Sequence, residues 1–408
     1  MKKIVVTGMG AVTPVGIGVE NYWNNITAGA SGIDTIKTFD PSELAVQIAG
    51  EVKDFNPSDY LPKDLIRKTD PFMQYAYIAA EEAMKQSGIE IEPERTGIVM
   101  GTAMAGIATI AYTQEALTGA SHKKVGPRFI PKILGNIAVA NIAIDYNIQG
   151  PSFTVSTACS SGGDAINTAC MCMQSGKADI MLAVGAESVL CPLVIYSLAN
   201  AKALSRRNDL PSTASRPFDV TRDGFVIGEG GGALVLETEE HALARGAKIY
   251  AEIRGCGNTD DAYHVTAPHP EGRGAIACMK QAIAEAGINP SDIGYINAHG
   301  TATNKGDTVE TSSIKKVFGN TLPYVSSTKG ATGHMMGAGG ITETITCVKA
   351  IETGTVPPTI NLNEVDPECA GIDFVANTAK KAEINFAMSN AFGFGGQNSS
   401  IIVGKYGK

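Results

Sequence analysis

The stretch AAEEAMKQSGIEIEPERTGIVMGTAMAG, residues 79–106, indicates the fold because its pattern returns at residues 278–303 as CMKQAIAEAGINPSDIGYINAHGTAT. Each copy contains an amphipathic helix that stops at a glycine, a turn with a proline, and an apolar strand that ends in Gly-Thr. Short apolar strands that alternate with helices are typical of α/β folds with largely parallel sheets. We therefore predict two similar α/β halves, residues 1–247 and 248–408, with an insertion in the first half that includes residues 39–70.

The composition is that of an ordinary globular protein, with 408 residues of which 44% are hydrophobic and 18% charged. A net charge of −8 makes the chain a poor general partner for nucleic acid or anionic membranes. No run of about 18 apolar residues occurs, so we expect no membrane span. The N-terminal MKKIVVTGMGAVTP is typical of a first strand rather than a signal peptide. Eight scattered cysteines favour reduced thiols and a cytoplasmic location.

Cys159 occupies a place in the sequence that favours reactivity. In VSTACSSGGDAINTAC, residues 155–170, a β-rich run ends, small residues form a turn, and a helix begins. The free N–H groups and the dipole at a helix N-terminus favour an anion, and the thiolate is the nucleophilic form of cysteine. The plain alternative is a buried and inert side chain, because free cysteines usually pack as small hydrophobes. We predict that Cys159 is a nucleophile whose thiolate this placement favours, while its pKa in the folded protein stays open at this point.

Three further loops follow predicted strands and carry residues suited to carbonyl chemistry. His299 lies in NAHGTAT, Lys329 and His334 lie in STKGATGHMMG, and Phe394 lies in the glycine-rich AFGFGG. Imidazole transfers protons and polarises carbonyl groups near neutral pH. One cysteine with two histidines therefore supplies an attacking group and two N–H donors for a carbonyl that becomes an enolate.

The sequence contains no motif that predicts a cofactor or a metal. GMGAVTP, residues 8–14, imitates a dinucleotide-binding loop, but Thr13 stands at the third glycine position and Pro14 where a helix would begin. GEGGG, which starts at Gly228, lacks the Lys-Ser/Thr pair of a phosphate-binding loop. Neither HExxH nor a paired CxxC occurs. We expect neither an organic cofactor nor a catalytic metal ion, and a structural monovalent cation near the glycine-rich loops stays open at this point.

Six motifs along the chain resemble the signatures of one family. In order they are VVTGMGAVTPVG, GPSFTVSTACSSG, SRPFDVTRDGFVIGEGGGALVLE, NAHGTATNKGD, STKGATGHMMGAGG and SNAFGFGGQN. With these motifs the chain resembles the β-ketoacyl-acyl-carrier-protein synthases of the thiolase superfamily, and most of all the synthase II type of bacterial fatty-acid synthesis. The resemblance implies a thiolase-like duplicated fold with five layers, α/β/α/β/α, and a homodimer. It also implies an acyltransferase that condenses an acyl group with malonyl-acyl-carrier-protein, releases CO₂ and elongates a fatty-acid chain.

The resemblance further implies a role for each candidate site residue. Cys159 would carry the acyl group as a thioester, and Lys329, paired with Glu343, would support the histidine pair. The backbone N–H groups of Cys159 and Phe394 would form the oxyanion hole, and Phe394 would gate the acyl pocket. The two residues that hold the malonyl thioester carbonyl would be His299 and His334.

Other residues would contact the substrates, again by resemblance. The pantetheine arm would meet Thr301 and Thr303, and the acyl pocket would be lined by Met104, Phe129 and Leu198. Acyl carrier proteins are acidic, so we expect a basic docking surface near one entrance of the site. Its residues would be Arg67, Lys68, Lys124, Lys202 and Arg206.

One alternative function stays open at this point. A ketosynthase of the same chemistry in a polyketide or aryl-polyene pathway would differ only in its acyl pocket, and Leu198 stands where the family can have an aromatic residue. Gln397 also departs from the residue most expected in the glycine-rich loop. A thiolase would need a second cysteine in AFGFGGQN, and a synthase III would have Asn in place of His334. A non-catalytic scaffold is expected to lack Cys159 or one of the histidines.

Overall fold

The computed structural model of the chain describes residues 2–119 and 125–408. Its strands are β1 (Ile4–Thr13), β2 (Gly16–Ile17), β3 (Asp34–Thr35), β4 (Ile48–Ala49), β5 (Thr96–Gly101), β6 (Ser152–Val155), β7 (Ile180–Glu187), β8 (Gly230–Thr238), β9 (Ala251–Asp260), β10 (Ile293–Asn297), β11 (Tyr324–Ser326), β12 (Thr355–Val356), β13 (Asp373–Phe374), β14 (Lys380–Lys381), β15 (Phe386–Phe392) and β16 (Gln397–Gly404). Its helices are α1 (Val19–Thr27), α2 (Lys63–Lys68), α3 (Pro71–Ser87), α4 (Ile107–Thr118), α5 (Phe129–Ile133), α6 (Gly135–Tyr146), α7 (Ser161–Gln174), α8 (Pro192–Asn200), α9 (Glu239–Ala244), α10 (Arg273–Ala286), α11 (Asn304–Phe318), α12 (Lys329–Thr332) and α13 (Gly339–Thr353).

The strand order is duplicated. The first half has the order β6-β5-β7-β8-β1, and the second half has β11-β10-β15-β16-β9. When the strands of each half are numbered along the chain, both orders become 3-2-4-5-1. In both halves strands 2, 3 and 4 are parallel, and strand 5 is antiparallel to its two neighbours. The predicted duplicated α/β fold is therefore confirmed.

The two halves meet where β1 pairs with β9, antiparallel and over a short stretch. The register at this junction joins Ile4 to Ile253, Val5 to Glu252 and Val6 to Ala251. The predicted boundary between residues 247 and 248 lies just before β9, in the loop that follows α9.

Two buried helices separate the halves of the sheet. α7 packs against β5 and β7 of the first half and against β9 and β16 of the second, and α13 also touches strands of both halves. On the outer faces, α3 and α6 cover the first half, while α10 covers β9 and β16 and packs against α11. A helix layer between two sheet halves, each covered by outer helices, gives the predicted α/β/α/β/α order.

Glycines in the first strand of each half allow a helix to approach the backbone closely. A Cβ atom on Gly8 or Gly10 of β1 would lie 2.1 Å or 1.9 Å from a carbonyl oxygen of α3. A Cβ atom on Gly255 or Gly257 of β9 would lie 2.2 Å or 2.1 Å from a carbonyl oxygen of α10. The GMG of the first strand, which imitates a dinucleotide-binding loop, thus has a packing role that the second half repeats.

The parallel strands place the sequence motifs at the site. Cys159 follows β6, and the loops with His299, His334 and Phe394 follow β10, β11 and β15. Loops at the carboxyl ends of neighbouring parallel strands meet at one edge of a sheet, which is where ligands bind in folds of this class.

Two negative findings apply to the residues that the structure describes. None of their helices is both long and apolar enough to cross a membrane. Within the same ranges, no three His, Cys, Asp or Glu side chains are grouped so as to hold a metal ion.

Candidate active site

Cys159 sits in a tight turn at the N-terminal end of α7. The turn is a single 3₁₀ turn, Ala158–Ser160, and Ala158 adopts a left-handed backbone with φ of 52°. Such a backbone is strained for a residue with a Cβ atom and needs support from its surroundings. Ser161 supplies part of that support, since its Oγ accepts a hydrogen bond from the Thr157 N–H at 2.9 Å and donates one to the Ala158 carbonyl at 2.7 Å.

The pKa of Cys159, which the sequence leaves open, is set mainly by burial in the structure. The side chain is only 8% exposed, and this burial raises the pKa of the thiol to about 11. Hydrogen bonds from the backbone N–H groups of Phe394 and of Cys159 itself, together with the positive charge of Lys329, oppose the rise. In the free protein the loss of water around the sulfur outweighs these favourable contacts.

The two N–H groups at the sulfur come from different halves of the chain. One belongs to Cys159 and the other to Phe394 in the loop after β15. A Cβ atom on Gly393 would lie 2.7 Å from the Thr157 carbonyl oxygen, so the glycine lets this loop pack directly on the cysteine turn. Phe394 itself is 39% exposed, and the N–H of Gly395 donates to the Val265 carbonyl at 2.7 Å.

His299 and His334 face each other. Their ring centroids are 5.3 Å apart and the rings are nearly perpendicular, at 86°. Phe225 contacts the His334 ring from another direction, with 5.4 Å between centroids. Among the described residues, neither ring nitrogen of His334 nor Nδ1 of His299 has a hydrogen-bond partner. Buried polar atoms are nearly always paired, so these nitrogens are arranged to bind a ligand.

Both histidines are neutral at physiological pH. Burial lowers the pKa of His299 and of His334 well below the ordinary value, and the positive charge of Lys329 lowers both further. A neutral imidazole offers one N–H donor and one acceptor nitrogen. The pair can therefore donate hydrogen bonds to an oxygen that gains negative charge.

Lys329 forms a buried ion pair with Glu343. Its Nζ donates a hydrogen bond to Oε1 of Glu343, and both side chains are buried. Burial raises the pKa of Glu343, while the lysine charge lowers it. The lysine backbone is also fixed, because Ser215 Oγ donates to the Lys329 carbonyl at 2.7 Å. The pair thus holds one positive charge at a fixed place beside the two histidines.

Glu310 is a site residue whose position sequence reasoning missed. From α11 its two carboxylate oxygens accept hydrogen bonds from the backbone N–H groups of His299 and Gly300, at 2.8 and 2.7 Å. Burial raises the pKa of Glu310 to about 7, and these two N–H groups oppose the rise. Its hydrogen-bond partners are these two main-chain groups of the histidine loop and the side-chain amide of Asn390, at 3.4 Å.

The structure brings some of the residues expected to meet the substrates to this centre, but not all of them. Thr301 and Thr303 follow His299, and their hydroxyl oxygens are 3.0 Å apart. Leu198 packs against the same hydrophobic cluster that contains Cys159. Met104 is 37% exposed and Phe129 is half-buried, and neither belongs to that cluster.

The expected docking residues fall into two groups. Arg67 and Lys68 lie on α2, where Lys68 pairs with Asp64 at 3.7 Å, while Lys202 and Arg206 lie exposed in the loop after α8. No hydrogen bond or ion pair joins the two groups in the described part of the chain. The fifth expected residue, Lys124, lies outside the described residues.

Comparison with known proteins identifies the family to which the chain belongs. The profile of the β-ketoacyl synthase N-terminal domain matches residues 1–242, and that of the C-terminal domain matches residues 250–363. Curated relatives named 3-oxoacyl-[acyl-carrier-protein] synthase 2 include those of Coxiella burnetii and Staphylococcus aureus. The Coxiella protein is 44% identical and the Staphylococcus protein 42% identical, and each match covers 99% of both chains.

Solved structures of ketosynthases are similar to this chain over almost its whole length. The ishigamide ketosynthase/chain length factor superposes with a TM-score of 0.92 at 34% identity, over 100% of both chains. A β-ketoacyl synthase from Burkholderia phymatum superposes with a TM-score of 0.91 at 34% identity, over 99% of this chain and 100% of the other. A ketosynthase bound to a hexaketide, in complex with its type II polyketide synthase acyl carrier protein, gives 0.89 at 33% identity and covers 99% of each chain. The chain is a member of the β-ketoacyl synthase family.

Proposed function

We propose that the chain is a 3-oxoacyl-acyl-carrier-protein synthase of the synthase II type, an acyltransferase of fatty-acid elongation. It joins an acyl group carried on Cys159 to malonyl-acyl-carrier-protein, giving β-ketoacyl-acyl-carrier-protein and CO₂. The observation that carries the proposal is a pair of neutral histidines with unpartnered ring nitrogens, grouped with Cys159 around the buried Lys329. Full-length relatives named for this activity are 42–44% identical, whereas the ketosynthase solved with its type II polyketide synthase acyl carrier protein is 33% identical. This difference favours fatty-acid elongation over the polyketide alternative.

In the first step the acyl group moves to the enzyme. The Cys159 sulfur attacks the thioester carbonyl of acyl-acyl-carrier-protein, a new C–S bond forms, and the bond to the pantetheine sulfur breaks. A thiol whose pKa is about 11 is protonated in the free protein, so its proton leaves as the bond forms and ends on the departing pantetheine thiolate. The N–H groups of Cys159 and Phe394 stabilise the oxyanion of the tetrahedral intermediate.

In the second step malonyl-acyl-carrier-protein is decarboxylated and joined to the acyl group. His299 and His334 donate hydrogen bonds to the malonyl thioester carbonyl, and the electrons of the breaking C–C bond form an enolate as CO₂ leaves. The enolate carbon attacks the carbonyl of the Cys159 thioester. The C–S bond then breaks, its electrons leave on the Cys159 sulfur as a thiolate, and the thiolate takes a proton from water. Neutral imidazoles suit this step, because each offers an N–H donor without adding a second buried charge beside Lys329.

The partner is acyl carrier protein in its acyl and malonyl forms. One solved relative is a ketosynthase in complex with its acyl carrier protein, which supports the assignment. Thr301 and Thr303 would receive the pantetheine arm beside His299. The acidic carrier would dock on the basic surface formed by Arg67, Lys68, Lys124, Lys202 and Arg206.

The exposed apolar surface favours a homodimer. β6 lies at the end of the strand order, so one side of its backbone has no sheet neighbour within residues 2–119 and 125–408, and Phe153 on it is 46% exposed. Many exposed apolar side chains belong to the segment that ends at this strand: Met104, Ile110, Leu117, Val125, Ile130, Leu134 and Ile144. An open strand edge beside exposed apolar side chains is suited to pairing with a second copy of the chain. Such pairing would also cover Met104 and Phe129, two of the proposed acyl-pocket residues.

The boundary between the two halves would lie between residues 247 and 248. Leu198 would line the acyl pocket. The protein would act in the cytoplasm. Eight free cysteines, all buried, are consistent with a reducing compartment.

The test is condensation of acyl-acyl-carrier-protein with malonyl-acyl-carrier-protein over a series of saturated primers, with Cys159→Ala as control. Turnover on saturated primers that disappears in the control is expected. Acylation by polyenoyl or β-keto chains, without turnover of saturated primers, would move the protein to a polyketide-type pathway. Failure of every acyl donor to modify Cys159 would reject the enzymatic proposal.

A further inference from the structure

Glu187 joins two loops of the site and has no role in the mechanism described above. It ends β7 and is fully buried. Its Oε1 accepts hydrogen bonds from the Thr102 hydroxyl at 3.1 Å and the Met104 N–H at 3.0 Å. Its Oε2 accepts from the Ala103 N–H at 2.6 Å and the Gly337 N–H at 3.1 Å. One carboxylate thus holds the loop after β5 and the loop after His334 together.

All four partners of Glu187 donate, and this pattern suits an ionised carboxylate. Burial raises the pKa of Glu187 to about 7, while the N–H groups of Ala103, Met104 and Gly337 oppose the rise. No lysine, arginine or histidine forms an ion pair with it in the described ranges. The main-chain donors are therefore what stabilises the buried charge, and loss of the charge would leave them without acceptors.

The loop after β5, which contains Thr102, and the loop that contains Gly337 are in van der Waals contact. Their backbones are so close that no side chain would fit between them at Gly337. A Cβ atom on Gly337 would lie 2.7 Å from Cα of Thr102 and 2.9 Å from Oε2 of Glu187. Next to Gly337, Met336 has a left-handed backbone and packs in the hydrophobic cluster that includes Cys159. A shift of either loop would therefore reach both the proposed acyl pocket and the histidine loop.

We propose that Glu187 is a positioning residue that sets acyl-chain selectivity and the placement of His334 through these two loops. The inference rests on the proposed function, because it assigns Met104 to the acyl pocket and His334 to the malonyl site. Glu187 forms hydrogen bonds with main-chain groups and with the Thr102 hydroxyl, and its charge also raises the pKa of Cys159, so it tunes the reaction without touching substrate. Its loss should weaken discrimination between primers and also slow the malonyl step.

Glu229 provides a matched control. It is also a buried glutamate whose pKa is raised to about 7 by burial. It accepts hydrogen bonds from the Val52 N–H at 3.2 Å, the Tyr75 hydroxyl at 3.0 Å and the Ser188 hydroxyl at 2.9 Å. None of these partners belongs to the Met104 or Gly337 loop. The change Glu229→Gln should therefore have a similar effect on stability, without the effect on selectivity.

The experiment compares the wild type with Glu187→Gln and Glu229→Gln. A glutamine can accept from only one of the two donor pairs, because its amide nitrogen would face N–H groups. We measure kcat/KM for saturated acyl-acyl-carrier-proteins of different lengths, CO₂ release from malonyl-acyl-carrier-protein, and Tm. For Glu187→Gln the ratio between the best and the worst primer should shrink about tenfold, since small displacements in a site have effects of this order. CO₂ release should fall as well, and Glu229→Gln should leave both quantities near the wild type.

Each outcome decides the inference. Equal primer profiles in Glu187→Gln and the wild type, or identical changes in the two glutamine variants, would overturn it. If Glu187→Gln does not fold, Thr102→Val removes a single donor to Oε1, and it should still narrow the primer ratio by a smaller factor. An unchanged ratio in that variant would overturn the inference. Lack of wild-type turnover would instead reject the proposed function, so the two failures are distinguishable.

Discussion

The turn that carries Cys159 and the loop that carries His334 occupy the same place in the two halves of the fold. Each lies between the third strand of its half, β6 or β11, and the buried central helix, α7 or α13. In the first half one 3₁₀ turn separates strand and helix and presents a thiol. In the second half a longer segment contains α12 and the buried Lys329, and it presents an imidazole. The duplicated fold thus brings two equivalent strand-to-helix connections to one site, and only their side chains and lengths determine the chemistry.

The difference between these connections assigns one step of the reaction to each half. In the proposed mechanism the nucleophile of the first half takes up the acyl group, and the histidines of the second half hold the malonyl carbonyl. If the assignment is right, a change in one connection should stop one step and spare the other.

The largest effect is expected from Cys159→Ala. Loss of the nucleophile should lower condensation by about a thousandfold or more. Slow CO₂ release from malonyl-acyl-carrier-protein should persist, since the histidine connection is untouched. Condensation is followed by product chromatography and CO₂ release by a coupled assay. Complete loss of CO₂ release in a variant with wild-type Tm would show that the two halves do not act separately.

An intermediate effect is expected when the charge beside the histidines is removed. Lys329→Met combined with Glu343→Gln deletes the pair without leaving an unpaired buried charge. The Lys329 charge lowers the pKa of both histidines, so the double variant should have higher histidine pKa values. As the pH is lowered, its CO₂ release should begin to decline at a higher pH than that of the wild type, because protonation of the histidines then begins at a higher pH. Burial, the largest cause of the lowered pKa values, remains in the variant.

The control for this pH profile is Lys349→Met. Lys349 lies on the same helix as Glu343, is mostly buried, and pairs with Glu20 and Glu352 at 2.8 and 2.9 Å. The change Lys349→Met should leave the decline of CO₂ release at low pH the same as in the wild type. Matching profiles for the double variant and the wild type would contradict the role given to Lys329.

The smallest effect is expected from the docking surface, which serves both halves alike. Lys202→Glu with Arg206→Glu should raise KM for acyl-carrier-protein substrates by about tenfold at low salt, with less change at high salt. The matched control is Lys177→Glu, an exposed lysine beyond the C-terminal end of α7, whereas Cys159 lies at the N-terminal end. Equal KM values in the docking variant and the wild type would place carrier docking elsewhere.

The sequence alone predicts the parts of this protein that leave a local pattern. The repeat of helix, glycine and strand predicts the duplicated fold, and glycine-flanked loops after strands single out Cys159, His299 and His334. Glu187 and Glu310 leave no such pattern, because they bind mainly main-chain N–H groups, which any residue type except proline can supply. Glu187, for example, binds Met104 and Gly337, which are 83 and 150 residues away along the chain.

The pKa of Cys159 shows a second limit of sequence reasoning. The start of a helix is visible in the sequence and favours a thiolate. The depth of burial depends on how the loops of both halves close over the sulfur, and that depth raises the pKa to about 11. The sequence therefore shows the effect of the helix start on the pKa of Cys159, but not the larger effect of burial in the folded protein.

The most direct test of the central claim is intact-protein mass spectrometry of the His334→Ala variant beside the wild type. Each protein is first mixed with acyl-acyl-carrier-protein and then with malonyl-acyl-carrier-protein. The wild type should gain one acyl group on Cys159 and lose it when malonyl-acyl-carrier-protein is added. His334→Ala should gain the same acyl group and retain it. Loss of the acyl group from the variant at the wild-type rate would contradict the assignment of the second step to the histidine connection.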